Sequence, residues 1–263
     1  MKAAINVWTW GINAKEQFEQ GLKEVSDIGY DAVENISSIV ALFEDNPAEF
    51  DELLARYGVK LVCAYHHLSG DFAKDRANAE RYLRFLQGRG PKVMNLQAGR
   101  RPEGGPSPEL LAETARQVRE IAELGQRYGI TVCLHPHYAT NVERAPELEY
   151  MMKQIPADVL GLTLDTAHTV LGGMDPVETF ERYAARVRYV HMKDIALPID
   201  PQQPWWSHFR ELGRGVINFP AIARILRRAG FEGYLCVELD APRVCGYKSA
   251  AISRQYLRDE LGI

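Results

Sequence analysis

Several features are missing from this sequence, and each absence closes a route. No apolar run approaches the roughly 20 residues needed to cross a bilayer as a helix. The opening stretch, MKAAINVWTWGINAKEQF, carries an early lysine, Lys2, but no long apolar core and no clear cleavage site. It reads as mature sequence, not as a signal peptide. There is no C-x-x-C among the four cysteines. Cys63, Cys133 and Cys236 lie inside apolar runs and Cys245 in an expected loop. Reduced thiols of a cytoplasmic protein are the plain reading, and a zinc cluster built on cysteine is not expected. The net charge of -4 comes without any basic stripe, which argues against nucleic acid as a partner. Finally, no G-x-G-x-x-G follows the first strand-like run, so the dinucleotide-binding open sheet has no fingerprint here.

What is there is an eight-fold alternation. Short β-rich runs recur at 3–7, 31–35, 59–65, 92–97, 130–135, 159–165, 187–192 and 233–239. Most are apolar nearly throughout, as in parallel strands covered on both faces. Between them lie helix-like segments. One places Phe18, Leu22, Val25 and Ile28 on a single face; another does so with Leu111, Ala115, Val118, Ala122 and Leu124. Gly29, Gly58, Gly129 and Gly230 stand where helices should stop. Val7 and Glu238 are 231 residues and seven repeats apart, or 33 residues per unit. An α/β fold of the (β/α)8 barrel type needs about 250 residues. A single TIM-barrel domain over residues 1–263 is therefore predicted.

In such a barrel the chemistry sits at the C-terminal ends of the strands. Six of the seven histidines fall at those ends, His208 being the exception. The end residues are Glu34 and Asn35, His66 and His67, Asn95 and Gln97, and His135 and His137. They continue with Asp165 and nearby His168, His191 with Lys193 and Asp194, and Glu238 with Asp240. Asp165, His191 and Glu238 end three successive strands, which lie about 5 Å apart. They can converge on one divalent ion, with a mixed oxygen and nitrogen shell suited to Mn, Co, Fe, Zn or Mg. The alternative is a carboxylate–histidine hydrogen-bond cluster without an ion.

The stretches GYDAVEN, LGLTLDTAH, RVRYVHMKD, LGRGVINF and YLCVELD occur in this order. Together they resemble the xylose isomerase-like TIM-barrel superfamily, over most of the chain. Its members include ketose 3-epimerases, hydroxypyruvate isomerases, inosose dehydratases, 3-dehydroshikimate dehydratases and endonuclease IV. The resemblance implies one divalent metal ion held from the ends of strands five to eight by Glu, Asp, His and Glu. Asp165, His191 and Glu238 match three of these. At strand five the glutamate is replaced by His135, which becomes the fourth ligand or an acid or base beside the ion. The histidine-rich HPHYAT is similar to the inosose dehydratase-like branch, where a Gly-Thr follows; here the pair is Ala139-Thr140.

That resemblance implies proton abstraction next to a carbonyl. Glu238, His135 and His168 are the expected catalytic residues. Glu34, His66, Gln97, His137, His168, Lys193 and Arg214 are expected to bind substrate. A 3-epimerase of this family uses two glutamates, one on each face of the reacting carbon, and only Glu238 of that pair is present. Elimination needs one base and one acid. A dehydratase acting on a sugar or cyclitol is therefore favoured over a ketose epimerase or isomerase, and over a sugar-binding barrel with a decayed site. No nucleic acid or membrane partner is expected, and a homo-oligomer is left open. Trp205 and Trp206 lie in a Pro-rich stretch, 195–215, that reads either as a lid or as a subunit contact. Arg100 and Arg101 read as a solvated charge pair in preference to a phosphate or carboxylate contact.

Overall fold

In the computed structural model the described residues are 1–263 except Ile12, Ser37, Ala241, Arg243 and Val244. Ten strands form. The first seven are β1 (Lys2–Asn6), β2 (Ala32–Ile36), β3 (Lys60–His67), β4 (Val93–Gln97), β5 (Thr131–His135), β6 (Gly161–Asp165) and β7 (Val187–Met192). A short antiparallel pair follows, β8 (Asp194–Ile195) with β9 (Phe209–Arg210), and then β10 (Tyr234–Val237). The barrel closes in the order β1-β10-β7-β6-β5-β4-β3-β2. Every barrel pairing is parallel, and β1 meets both β10 and β2. All eight expected strands are found, and the closed parallel barrel bears out the predicted (β/α)8 architecture.

The helices are α1 (Lys15–Ile28), α2 (Ser38–Phe43), α3 (Pro47–Tyr57), α4 (Phe72–Leu86), α5 (Pro108–Arg127), α6 (Ala145–Gln154), α7 (Thr166–Leu171), α8 (Pro176–Tyr183), α9 (Phe219–Arg228) and α10 (Gly246–Leu261). Their ends follow from sequence. Ser107 accepts the N–H of Leu110 at 3.2 Å, with Pro108 next in the chain, a favoured way to start a helix. Gly29 and Gly58 close α1 and α3 in the left-handed region, at φ 93° and 63°. A side chain there would be strained, which is why glycine stops these helices.

Outward-facing strand residues such as Met94, Leu96, Val132 and Leu134 pack under the helices with Val118, Ile121 and Ala122 of α5. Each large side chain so buried contributes roughly 1.5–3 kcal/mol. That outer layer does most of the holding together. It leaves the inward positions free to carry polar groups. No helix among the described residues is long and apolar enough to cross a membrane.

Candidate metal centre and active site

Asp165 ends β6 and also caps α7. Its Oδ1 accepts the backbone N–H groups of Ala167 and His168, each at 2.8 Å. A cap uses one carboxylate oxygen. The other, Oδ2, is buried and has no hydrogen-bond partner. His135 at the end of β5 brings Nε2 to 3.9 Å from that oxygen. His191 stands beside Asp165 in the β6–β7 register and brings Nδ1 to 3.8 Å. Glu238, just past β10, places Oε2 at 2.8 Å from His191 Nδ1.

These four residues are the ligand set expected from sequence. His135 Nε2, Asp165 Oδ2, His191 Nδ1 and Glu238 Oε2 are all buried and all without a hydrogen-bond partner. Nδ1 of His191 and Oε2 of Glu238 are close but not aligned as a hydrogen bond. Ligand atoms of His135, Asp165 and His191 all lie within 4.8 Å of one another, with Glu238 Oε2 beside His191; buried polar atoms are normally paired, so these orphans need a cause. A common cation is one that fits. Ligand atoms about 2.1 Å from a shared tetrahedral ion lie about 3–3.5 Å from each other. The spacings here are 2.8, 3.8 and 3.9 Å, near that value. Two nitrogens and two carboxylate oxygens form a borderline donor set. The residues present therefore fit a divalent ion.

Charge points the same way. Glu34, Asp165, Glu238 and Asp240 crowd one end of the lumen. The ammonium of Lys193 lies 2.9 Å from Asp240, 3.3 Å from Glu238 and 3.5 Å from Asp165. One lysine does not balance four carboxylates. Burial pushes the Asp165 carboxyl up to about 6, against the pull of Lys193. Burial would also raise Glu238, but Lys193 and His191 hold it well below the usual carboxylate range. Burial would lower His191, yet Glu34 and Glu238 on its two sides outweigh it and raise it well above 6.5. His135 and His168 are kept low, first by burial and then by neighbouring histidines. Burial and then Lys193 bring His137 down to about 4. A neutral imidazole can ligate a metal, which a charged one cannot.

Above the four donors stands an aromatic wall. The rings of His137 and His168 are 3.5 Å apart, centre to centre. Trp205 packs on both, at 5.7 and 5.3 Å, and on Phe209 at 5.4 Å. Trp205 therefore faces the site, and Trp206 beside it is 45% exposed. Their loop is held by Asp194. Its carboxylate accepts four backbone N–H groups, from Ile195, Gly213, Gly215 and Ile217. A Cβ at Gly215 would fall 2.3 Å from Asp194 Oδ1, so only glycine admits this approach. The stretch read as an open loop is thus partly ordered, by β8–β9 and by this carboxylate.

Some expected site residues lie elsewhere. His66 points out of the barrel: its Nε2 is 3.0 Å from the Asp75 carbonyl, and its ring packs on Tyr82 of α4. Tyr65, one position earlier, faces the site instead, with its ring 5.8 Å from that of His135. The Tyr65 hydroxyl donates to Gln97 Oε1, which places Gln97 at the mouth as expected. Glu34 is fully buried beneath the four donors and bonds to His191 and Asn95, so the substrate contact expected of it is not available. Arg214 is exposed on the loop, and only its backbone N–H is engaged, with Glu211. Arg101 is not solvated; it pairs with Glu147 at 2.8 Å. Lys193 and His137 do join the cluster. Ala139, where the resemblance places glycine, adopts a left-handed φ of 63° and donates its N–H to Glu143. Among residues not singled out, Tyr65, Thr163 and Phe209 line the site. Their only sequence signal was being two residues from a recognised strand end, or inside the loop.

Comparison with known proteins agrees with the fold. A family model described as xylose isomerase-like TIM barrel matches residues 22–260. The inosose dehydratase of Geobacillus kaustophilus (strain HTA426) is 27% identical over 271 residues, covering 91% of this chain and 86% of that protein. Among solved structures, the IolI protein with a binding zinc atom superposes with a TM-score of 0.81 at 16% identity, covering 98% of this chain and 97% of that one. L-Ribulose 3-epimerase gives 0.81 at 19% identity, covering 100% and 94%. The structural likenesses speak for the fold; the family model, which spans nine-tenths of the sequence, speaks for descent. The chain belongs to the xylose isomerase-like TIM-barrel family.

Proposed function

We propose that this enzyme is a divalent-metal-dependent lyase that removes water from a keto-cyclitol or keto-sugar, in the manner of an inosose dehydratase. One observation carries the reading. Among the described residues of the cluster, Asp165 Oδ2 and Glu238 Oε2 are the carboxylate oxygens without hydrogen-bond partners, and both lie beside His191 Nδ1, at 3.8 and 2.8 Å. The opposite wall is made of His137, His168 and Trp205. A substrate held between them meets a carboxylate on one side only. Elimination requires a base to take the proton beside the carbonyl and an acid for the departing hydroxyl. Inversion at a carbon would require a base on each side.

The roles follow from the geometry. His135, Asp165, His191 and Glu238 would hold the ion, which would polarise the substrate carbonyl as a Lewis acid. Mn, Co, Mg, Fe and Zn all suit the donor set, and manganese is our first choice. Glu238 is the base, at the lip of the site with 14% of its side chain exposed. His168 is the acid. Its Nε2 lies 3.4 Å from Lys193 Nζ, and an ammonium can only donate. The ring proton therefore sits on Nδ1, which is buried and has no partner; as it passes to the departing hydroxyl, Lys193 gives a proton to Nε2, so the imidazole stays neutral. His137 and Gln97 bind the substrate hydroxyls at the rim. Four unpaired cysteines suit a reducing compartment, and we place the enzyme in the cytoplasm.

The inosose dehydratases that match along the chain's length support this reading. The second reading, a ketose 3-epimerase or aldose–ketose isomerase, is favoured by the fold shared with L-ribulose 3-epimerase. Incubation of the manganese-loaded enzyme with a keto-inositol in deuterated water separates the two. Loss of water from the substrate mass, with an unsaturated product or its tautomer, is expected. Interconversion of two ketoses of equal mass, with no elimination from any keto-polyol, would overturn the lyase in favour of the isomerase.

A further inference from the structure

Glu34 has no role in the scheme above, yet it is a fully buried carboxylate in the middle of the lumen. Burying a charge is costly unless it is paired and hydrogen-bonded. Its partners are specific. Oε2 lies 2.8 Å from His191 Nε2, and Oε1 lies 3.2 Å from Asn95 Nδ2. The Asn95 amide cannot be turned over without losing a bond, because Thr163 Oγ1 donates to its Oδ1. Nδ2 therefore faces Glu34, and it also comes within 3.1 Å of His191 Nε2.

Once an ion has displaced one proton, His191 keeps a single ring proton, and two arrangements of it compete. In one, His191 carries its proton on Nε2 and donates to Glu34. In the other, Nε2 accepts from Asn95 and the proton sits on Nδ1. The second would leave a protonated Nδ1 that must find an acceptor. The nearest, Glu238 Oε2 at 2.8 Å, is itself one of the ion's donors, so with an ion between them Nδ1 cannot keep a proton. An ionised carboxylate cannot donate, so the short contact to Glu34 requires the proton on Nε2. Asn95 and His191 are then two donors converging on one carboxylate. The Nδ1 lone pair is left facing Asp165 and Glu238.

We propose that Glu34 is a positioning residue: it accepts the Nε2 proton of His191 and thereby presents the Nδ1 lone pair to the metal ion. This rests on the four-donor ion site proposed above. A carboxylate behind a metal-ligating histidine is a recurring arrangement, and its removal typically costs about 10–100-fold in metal affinity. Here the carboxylate comes from β2, three strands round the barrel from β7, so one residue ties the ligand across the lumen.

The test compares wild type, Glu34→Gln and Glu34→Ala, using zinc titrated against a chromophoric chelator. The expected result is a loss of about 10–100-fold in zinc affinity for Glu34→Ala. Glu34→Gln keeps an oxygen acceptor and should stay within a few-fold of wild type. Nitrogen NMR of the zinc-loaded wild type should show the His191 proton on Nε2, a readout that stands even if Glu34→Ala fails to fold. Wild-type zinc affinity in Glu34→Ala would overturn the proposal, as would a proton on Nδ1. Glu34→Gln falling as far as Glu34→Ala would also overturn it, since charge and not the acceptor would then be what matters. A raised KM with zinc affinity intact would return Glu34 to substrate binding. A wild type that takes up no zinc, manganese or cobalt would remove the ion site itself, and that first measurement tells this failure from the others.

Discussion

At the N-terminal end of the lumen, Ala4, Ala32, Val62, Cys63, Tyr189 and Cys236 form a small apolar cluster. At the C-terminal end, His135, Asp165, His191 and Glu238 leave five buried polar atoms unpaired, two of them on His135. A cavity of about 690 Å3 opens at the N-terminal end, lined by Lys60, Arg89, Lys92, Arg188 and Tyr189 among others. It contains none of the clustered donors. That hole is thus not where the chemistry gathers. Orphaned donors with a common focus are the better guide, because each costs the fold about 1–3 kcal/mol unless something compensates for it.

The sharpest test of this contrast is Asp165→Ala at the upper end. It deletes a charged donor and the cap of α7 together. Bound metal and turnover should both fall by at least ~10²-fold, more than loss of a residue acting behind a ligand. Metal analysis of the purified variant checks this; full occupancy with normal turnover would sink the assignment.

Next in size is the effect of protons on the same end. His191 is held protonated above the usual range, so an ion must displace its proton. Asp165, raised by burial to about 6, holds a second one at lower pH. Metal affinity should therefore rise with pH, by about tenfold per unit above pH 6 and more steeply below it. The sign for the metal-free fold is opposite. A carboxyl whose folded value is raised stabilises the protein at low pH, and that contribution fades as pH climbs from about 4 through about 6. Calorimetry in two buffers of different ionisation heat counts the protons released. A pH-independent affinity would break the argument.

The smallest effect belongs to the lower end. Tyr189 has a buried hydroxyl without a hydrogen-bond partner, like the donors above, but no focus shared with them. Tyr189→Phe should leave metal binding and turnover unchanged. It should alter stability by no more than about 1 kcal/mol, in the stabilising direction, because a stranded hydroxyl is removed. A large loss of activity would mean that the two ends are not separable.

The eight strands were legible because each is buried on both faces and reads as an apolar run. That same property hid which residues face inward. In KLVCAYHH of β3 nothing in the hydropathy distinguishes the two faces. His66 was therefore taken for a site residue, while Tyr65, with the opposite parity, holds that place. The ligand set was easier, since Asp165, His191 and Glu238 are charged or polar breaks in otherwise apolar runs. Glu34 was noticed for the same reason, but its depth was not readable. Whether a carboxylate meets solvent or a histidine behind it depends on contacts 157 residues apart. The 195–215 stretch has no periodicity, so the order given to it by Asp194 is visible only in space.

That carboxylate has a further consequence. Asp194 binds the loop at its first residue, Ile195, and again at Gly213, Gly215 and Ile217, where the chain returns. Both ends are therefore fixed at Asp194, two residues past β7, whatever lies between them. The segment from Ala196 to Leu212, with its two tryptophans, behaves as an exchangeable cassette. Its length and composition can drift, or be swapped by an engineer, without disturbing the strand that carries His191. A change at the tip would then leave the candidate ion site below as it is.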